Sequence, residues 1–172
     1  NPMEYERTGL VKIRIPSQIR HKNMTAFDKD GNEYPSQIIE VNSKYSIMLV
    51  YITMPAMGYK VLDIQAKPAH TRTPLKASID GLENEKYIVK FNSNGDISSI
   101  FDKELDKEIL KKPIITGIFD YTGSKDWPAW ELNYKELNRE PQHTAAIKHI
   151  EVIEQGVCRV AVKIVKAYKN SV

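Results

Sequence analysis

The sequence is poor in the residues on which several large classes of chemistry depend. It holds one cysteine, Cys158, in 172 residues, which excludes an internal disulfide and a thiolate metal cluster. A reducing, cytoplasmic setting is the expectation that follows. No apolar run approaches the roughly 20 residues that span a bilayer, and Asn1-Pro2-Met3-Glu4 lacks the basic and apolar regions of a signal peptide. The absence of an initiator methionine suggests a piece of something longer. There is no glycine-rich phosphate loop and no Gly-x-Ser-x-Gly elbow. His21, His70, His143 and His149 show no metal-ligand spacing. His143 and His149, placed on one extended strand, would lie about 20 Å apart, too far to share an ion. A large charge of one sign is also missing. The 25 basic and 22 acidic side chains leave a formal charge of +3, spread along the chain, so the case for a nucleic-acid partner is weak and none is expected for a membrane.

What the sequence does have is β pattern, organised around residues 82–104. Two runs of strand-forming residues, Tyr87-Ile88-Val89-Lys90-Phe91 and Ile97-Ser98-Ser99-Ile100-Phe101, flank Asn94-Gly95, a pair suited to the positive φ angles of a tight hairpin turn. Ahead of it, Leu10-Val11-Lys12-Ile13-Arg14-Ile15 alternates as a half-buried strand and ends at Pro16. Residues 34–41 and 45–53 predict two more strands, the second a nearly continuous apolar run suited to a sheet centre. Between Met24 and these strands, Asp28-Lys29-Asp30-Gly31-Asn32 has the acidic spacing of a calcium loop, but flanking helices and the closing glutamate are missing, so it reads as a turn. Pro55-Ala56-Met57-Gly58 predicts a turn into a strand over 59–64. The chain therefore divides into a small β-sandwich over 1–66, a linker over 67–81 with Pro68, Pro74 and Gly81, and the start of a larger antiparallel sheet over 82–172. In the last part, strands are expected over 113–121, 145–154 and 157–168, the final two joined at Gln155-Gly156. Cys158 lies in an alternating strand and reads as a small packing residue rather than a nucleophile.

The loop over 122–142 is long for a compact domain, and such loops often carry function. It contains Asp126, Trp127, Trp130 and Glu131, with the only two tryptophans of the chain. An indole face can stack on the C–H face of a sugar while carboxylates accept bonds from its hydroxyls. The simpler alternative is that a tryptophan anchors the loop to the sheet. Asp126 and Glu131 have the chemistry for acid and base work in glycoside hydrolysis, which depends on a separation that sequence does not give. Solvated loop acids are the plainer reading. No stretch reads as a self-sufficient active site, no metal site is assigned, and no catalytic residue is identified.

Several segments in order resemble the β region of glycoside hydrolase family 38 α-mannosidases. Asn1-Pro2 with Tyr5-Glu6-Arg7-Thr8-Gly9 is similar to that region's opening. The turn Asp30-Gly31-Asn32-Glu33-Tyr34-Pro35-Ser36-Gln37 and the segment Pro55-Ala56-Met57-Gly58-Tyr59 resemble two further motifs. Leu82-Glu83-Asn84-Glu85, Asn94-Gly95 and Phe101-Asp102-Lys103-Glu104 resemble the start of its large sandwich. Trp127, Ala129 and Trp130 are similar to a loop that ends in Asp-Ala-Trp, with Pro128 in the aspartate's place. The resemblance implies an all-β chain, an antiparallel β-sandwich that includes part of a galactose mutarotase-like supersandwich. It also implies a parent enzyme that hydrolyses α-mannosidic bonds with retention, using zinc and an aspartate nucleophile in a preceding domain. No cofactor is expected in this chain. Its implied partners are that catalytic domain and, through the parent, mannose-containing glycans. Open sheet edges would also favour self-association. Two alternatives stand beside this reading: an independent carbohydrate-binding module using Trp127 and Trp130, and, more weakly, a basic β-module for nucleic acid.

Overall fold

Antiparallel strands make up nearly all the regular structure. The computed structural model describes residues 1–19, 21, 23–119, 123–127, 130, 131, 133–169 and 171. In chain order the strands are β1 (Arg7–Pro16), β2 (Thr25–Phe27), β3 (Glu33–Tyr34), β4 (Ser36–Val41), β5 (Tyr45–Met54), β6 (Asp63–Gln65), β7 (Lys76–Ser78), β8 (Gly81–Glu83), β9 (Tyr87–Phe91) and β10 (Ile97–Asp102). They continue with β11 (Lys107–Glu108), β12 (Gly117–Ile118), β13 (His143–Thr144), β14 (Ala146–Gln155) and β15 (Val160–Ala167). A short helix, α1 (Tyr134–Leu137), lies before β13. The chain folds as two compact units, Asn1–Ala77 with Ile153–Ala161, and Ser78–Val152 with Val162–Val172. The 67–81 stretch, aperiodic in sequence, contains β7 and the start of β8.

The first unit has two three-stranded sheets, β1-β5-β4 and β3-β2-β6. The apolar run Tyr45–Met54 is central in the first, paired along its full length with β1 from Arg7↔Met54 to Pro16↔Tyr45 and on the other edge with β4. Met48, Val50 and Ile52 alternate toward a core completed by Ile15, Met24 and Ala26. Burial of each large side chain there contributes about 1.5–3 kcal/mol. Leu49 points to the opposite face and is nevertheless buried. Beside it, the Cys158 thiol donates to the carbonyl of Pro35 at 3.2 Å and to that of Leu49 at 3.8 Å. Burial pushes the Cys158 thiol pKa up, which fits an inert packing residue.

Gln37 holds this segment. Its Oε1 accepts the N–H groups of Cys158 (2.9 Å) and Arg159 (2.8 Å), and its Nε2 donates to Glu154 Oε1 at 2.6 Å. The Gln155-Gly156 turn passes close to this side chain: a Cβ on Gly156 would come within 2.1 Å of Gln37 Cδ, so a larger residue there would displace the amide and its bonds.

The strand expected over 59–64 is corrected, because only Asp63–Gln65 pairs. Tyr59 and Val61 are 84% and 74% exposed, so their alternation faces no sheet. The preceding turn is instead tied to the chain's start. Met57 N–H donates to Met3 O at 2.8 Å, Asn1 Nδ2 donates to Pro55 O at 2.9 Å, and Met57 adopts a φ of 43°. At the acidic turn, both Asp28 oxygens are engaged. Oδ1 accepts the N–H groups of Asp30 and Asn32, and Oδ2 accepts Asn32 Nδ2, all at 2.9 Å. Glu33, next on β3, accepts bonds from Thr71 Oγ1 (2.7 Å), Thr71 N (3.0 Å), His70 N (2.8 Å) and His70 Nδ1 (3.2 Å). Chiefly through the Thr71 hydroxyl, and against the opposing effect of desolvation, these bonds lower its pKa from 4.5 to about 2.

The second unit contains the five-stranded sheet β11-β10-β9-β8-β7. The hairpin read from sequence is β9–β10, with Asp102↔Tyr87 at one end and Ile97↔Phe91 at the other. Its turn differs from the expected Asn-Gly form, since Gly95 alone has a positive φ, 67°, and Asn94 does not. Asn92 and Asp96 close a three-residue loop through Asn92 N–H to Asp96 O and Gly95 N–H to Asn92 O, both 2.9 Å. The Asn92 side chain selects this form by accepting the N–H groups of Asn94 and Asp96 at 2.9 Å each. A second tight turn joins β8 to β9, with Asn84 Oδ1 accepting from Lys86 N and Tyr87 N at 2.8 and 2.7 Å.

The strand expected over 113–121 is also corrected. Ile114 makes an isolated bridge to Ile97, and among the described residues of that stretch only Gly117–Ile118 forms a strand, paired with β13. Pro113 has no N–H to offer a ladder. Asp120 and Tyr121 lie outside the described residues. The final two expected strands are present as the pair β14–β15, but β15 begins only at Val160, so Cys158 lies in the bend before it and not in the alternating strand expected for it.

Two outcomes follow from this packing. Gly95→Ala would force a side chain into a positive φ with its Cβ 2.7 Å from Ile164 Cγ2, and a loss of about 1–3 kcal/mol is expected by urea unfolding. An unchanged midpoint would contradict that packing. For Glu33 the folded pKa lies below the ordinary one, so its stabilisation is complete above pH 4.5 and is lost as pH falls through about 2. The stability gap between wild type and Glu33→Gln should therefore narrow on acidification over that window, and a gap that widens would refute the linkage.

Candidate functional site

The candidate site lies in the second unit, on the loop ahead of α1. Two small residues set its base. Gly123 has a φ of 78°, and a Cβ there would meet Glu136 Cγ at 2.8 Å. Ser124 is 4% exposed. Its Oγ accepts the Trp127 N–H at 3.2 Å and donates to Glu131 Oε2 at 3.3 Å. The Trp127 carbonyl then accepts two amides, Trp130 N–H at 3.0 Å and Glu131 N–H at 2.9 Å, which closes a turn. Beyond it, Arg139 pairs with Glu136 across one turn of chain at 2.7 Å and places its guanidinium 5.3 Å from the Phe119 ring centre.

This geometry leaves the indoles in water. Trp127 is 61% and Trp130 87% exposed, so the loop is fixed by the Ser124 hydroxyl and the Trp127 carbonyl rather than by buried rings. Trp127, Trp130 and Glu131 line one open depression of about 290 Å³. Of the four residues singled out in sequence, three thus meet. Asp126 is exposed and does not line the depression. Pro128 and Ala129 lie outside the described residues. Two aromatic faces with one carboxylate can stack on a flat or weakly polar surface and accept hydrogen bonds at its rim. Ser124 carries a role the sequence reading did not assign. Its signal is the Ser-x-x-Trp spacing, in which a hydroxyl caps the amide three residues on.

Elsewhere the histidines are separated. His70 serves Glu33, His143 stacks on Tyr168 at 5.0 Å, and His149 lies 3.5 Å from Glu151. Among the described residues, no group of three or more His, Cys, Asp or Glu is placed to hold a metal. The zinc implied by the sequence resemblance therefore finds no fitting ligand set in them. No helix is long and apolar enough to cross a membrane among those residues.

The sequence profile described as the Glycosyl hydrolases family 38 C-terminal domain matches residues 82–172. This chain belongs to glycosyl hydrolase family 38. The depression and the β9–β10 hairpin both lie within the matched residues. Two solved structures share similarity with this family 38 chain, each at 15% identity over 95% of its length. One is described as an alpha-mannosidase from Enterococcus faecalis V583, with a TM-score of 0.48. The other is a glycosyl hydrolase family 38 protein from Enterococcus faecalis, with a TM-score of 0.50. The chain covers 22% and 23% of those two proteins. No curated protein sequence matches it.

In the first unit, the segments that carried the sequence resemblance now have physical roles. Asn1 Nδ2 reaches Tyr5 O and Pro55 O, both at 2.9 Å, so the opening motif and the Pro55-Ala56-Met57-Gly58 motif meet directly. Gln37, at the end of the turn motif, is the side chain that binds Cys158 and Arg159.

Proposed function

We propose that this chain is a non-catalytic β region of a retaining α-mannosidase, supporting a catalytic domain on a longer polypeptide and presenting Trp127, Trp130 and Glu131 to that domain or to a mannose-containing glycan. Family membership and the ordered sequence motifs support the enzyme class. The observation that carries the local role is the exposure of both tryptophans on one depression, above a loop secured by other groups. Exposed indoles held on a fixed turn favour a contact made with another surface. On this reading the zinc and the nucleophile belong to the catalytic domain, and the present residues do no bond-breaking chemistry.

The same exposure favours a second reading, an independent carbohydrate-binding module. The two differ in what the isolated chain does. A supporting region shows little change in tryptophan emission when titrated with mannose oligosaccharides, whereas a module gives saturable quenching that Trp130→Ala abolishes. In the full-length enzyme, Trp130→Ala is expected to lower kcat/KM by about tenfold if the indole meets sugar, the scale of a lost aromatic contact. It should lower Tm with smaller kinetic effect if the indole meets the catalytic domain. Kinetics and Tm both equal to wild type would remove the loop from the proposal.

A further inference from the structure

Outside the depression, Glu33 stands out because its side chain accepts four hydrogen bonds from a segment far along the chain. Among the described residues these bonds all come from two consecutive residues, His70 and Thr71, in a run with no helix or strand between β6 and β7. The carboxylate itself sits on β3, whose pairing with β2 (Phe27↔Glu33, Ala26↔Tyr34) gives it a fixed base. The start of the run is tied by Lys67 N–H to Gln65 O at 2.9 Å and by Thr25 Oγ1–H to Lys67 O at 2.8 Å. The middle is held by Glu33. Thr73 spends its hydroxyl within the run, accepting Leu75 N–H at 3.1 Å.

The run contains one good cleavage point for a protease that recognises basic side chains. Arg72 is exposed and followed by Thr73. Lys67 is followed by Pro68, which blocks such enzymes, and Lys76 lies within β7. A protease needs several residues drawn out as a free extended segment, so exposure of Arg72 alone is insufficient and local opening decides the rate. Two residues upstream of Thr73, the Thr71 amide and hydroxyl are both bound to Glu33.

We propose that the Glu33 carboxylate is a clasp that gates proteolysis at the Arg72–Thr73 bond: closed, it protects the strap over 67–75, and opened, it allows a trypsin-like protease to divide the chain there. This goes beyond the proposed mannosidase role and does not depend on it, since the clasp lies in the first unit and uses none of the depression's residues.

The test is trypsin digestion of the intact chain at neutral pH, read by mass spectrometry, together with amide exchange. Glu33→Gln replaces a carboxylate that accepts four bonds with an amide that faces those donors with an NH₂ group. Loss of a charge-assisted hydrogen bond makes opening about tenfold more favourable. Cleavage at Arg72–Thr73 should rise by about that factor, and the His70 and Thr71 amides should exchange faster to a similar degree, while the Met48 and Val50 amides keep their protection. An unchanged rate at Arg72, or a first cut elsewhere in both proteins, overturns the proposal. If Glu33→Gln unfolds globally, with the Met48 and Val50 amides also exposed, Thr71→Val decides. Removing the single hydroxyl should speed the Arg72 cut about threefold without loss of core protection, and no acceleration in that variant rejects the clasp.

Discussion

The first unit depends on one requirement, that a ten-residue apolar strand, Tyr45–Met54, be satisfied on both edges and both faces. A central strand has donors and acceptors pointing to either side, and each must find a partner once water is excluded. β1 supplies one edge over ten residue pairs, ending where Pro16, which has no N–H, stands opposite Tyr45 at the strand's limit. β4 supplies the other. One face of β5 buries Met48 and Val50 in the core, while the other carries Leu49, which would lie in water without the segment around Cys158. That segment is bound by the Gln37 amide and by the Cys158 thiol, and its turn passes so close to Gln37 that a side chain at 156 would displace the amide. The sequence motif that ends in Gln37 therefore has a physical meaning: the glutamine is the bonding group for chain more than a hundred residues later.

The second unit is governed by a buried carboxylate. Asp96 is 5% exposed and pairs with the Lys166 ammonium, whose side chain is 13% exposed. Burial pushes the Asp96 pKa up, but hydrogen bonds from Lys166, Asn94 and Asn92 outweigh it and the net direction is down. A buried ion pair stabilises only when its remaining hydrogen-bond positions are filled. Here Asn92 Nδ2 and Asn94 Nδ2 each donate to Asp96 Oδ2 at 3.2 Å. Asn94 is used again, accepting Ile147 N–H at 2.9 Å and donating to Ala145 O at 3.1 Å. The loop's polar side chains are thus committed to tertiary contacts, and the turn takes the form those contacts need.

That double use explains what sequence made legible and what it did not. The pairing of residues 87–91 with 97–102 followed from local strand pattern around a glycine, and the central position of β5 followed from its apolar run. The turn type did not, because Asn94 signals a positive φ locally yet is held in an ordinary conformation by Asn92 and by contacts 51 and 53 residues away. The alternation at Tyr59 and Val61 looked like a strand face, but the backbone there is captured by the chain's first residues, a non-local choice that periodicity does not record. Glu33 sat unnoticed inside a turn motif for the same reason, since its partners are 37 and 38 residues on. In the candidate site, Trp127, Trp130 and Glu131 were visible as residue types. What joined them was Ser124, a small buried residue whose hydroxyl bonds to both Trp127 and Glu131.

The same burial decides how the tryptophans should be regarded. A tryptophan that anchors a loop places its indole against the sheet and leaves backbone at the surface. This loop does the reverse: Ser124 is buried at 4% exposure and the Trp127 carbonyl gathers two amides, while the rings stand outward at 61% and 87%. An indole offers some 150–250 Å² of largely apolar area, and leaving two of them in water contributes nothing to the stability of this unit. Elsewhere the chain packs its apolar side chains closely: a Cβ on Gly95 would lie 2.7 Å from Ile164 Cγ2. The turn at Trp127 therefore holds an apolar surface in place without using it, and a surface so held is suited to contact with something outside the fold, which is the physical ground of the proposed interface.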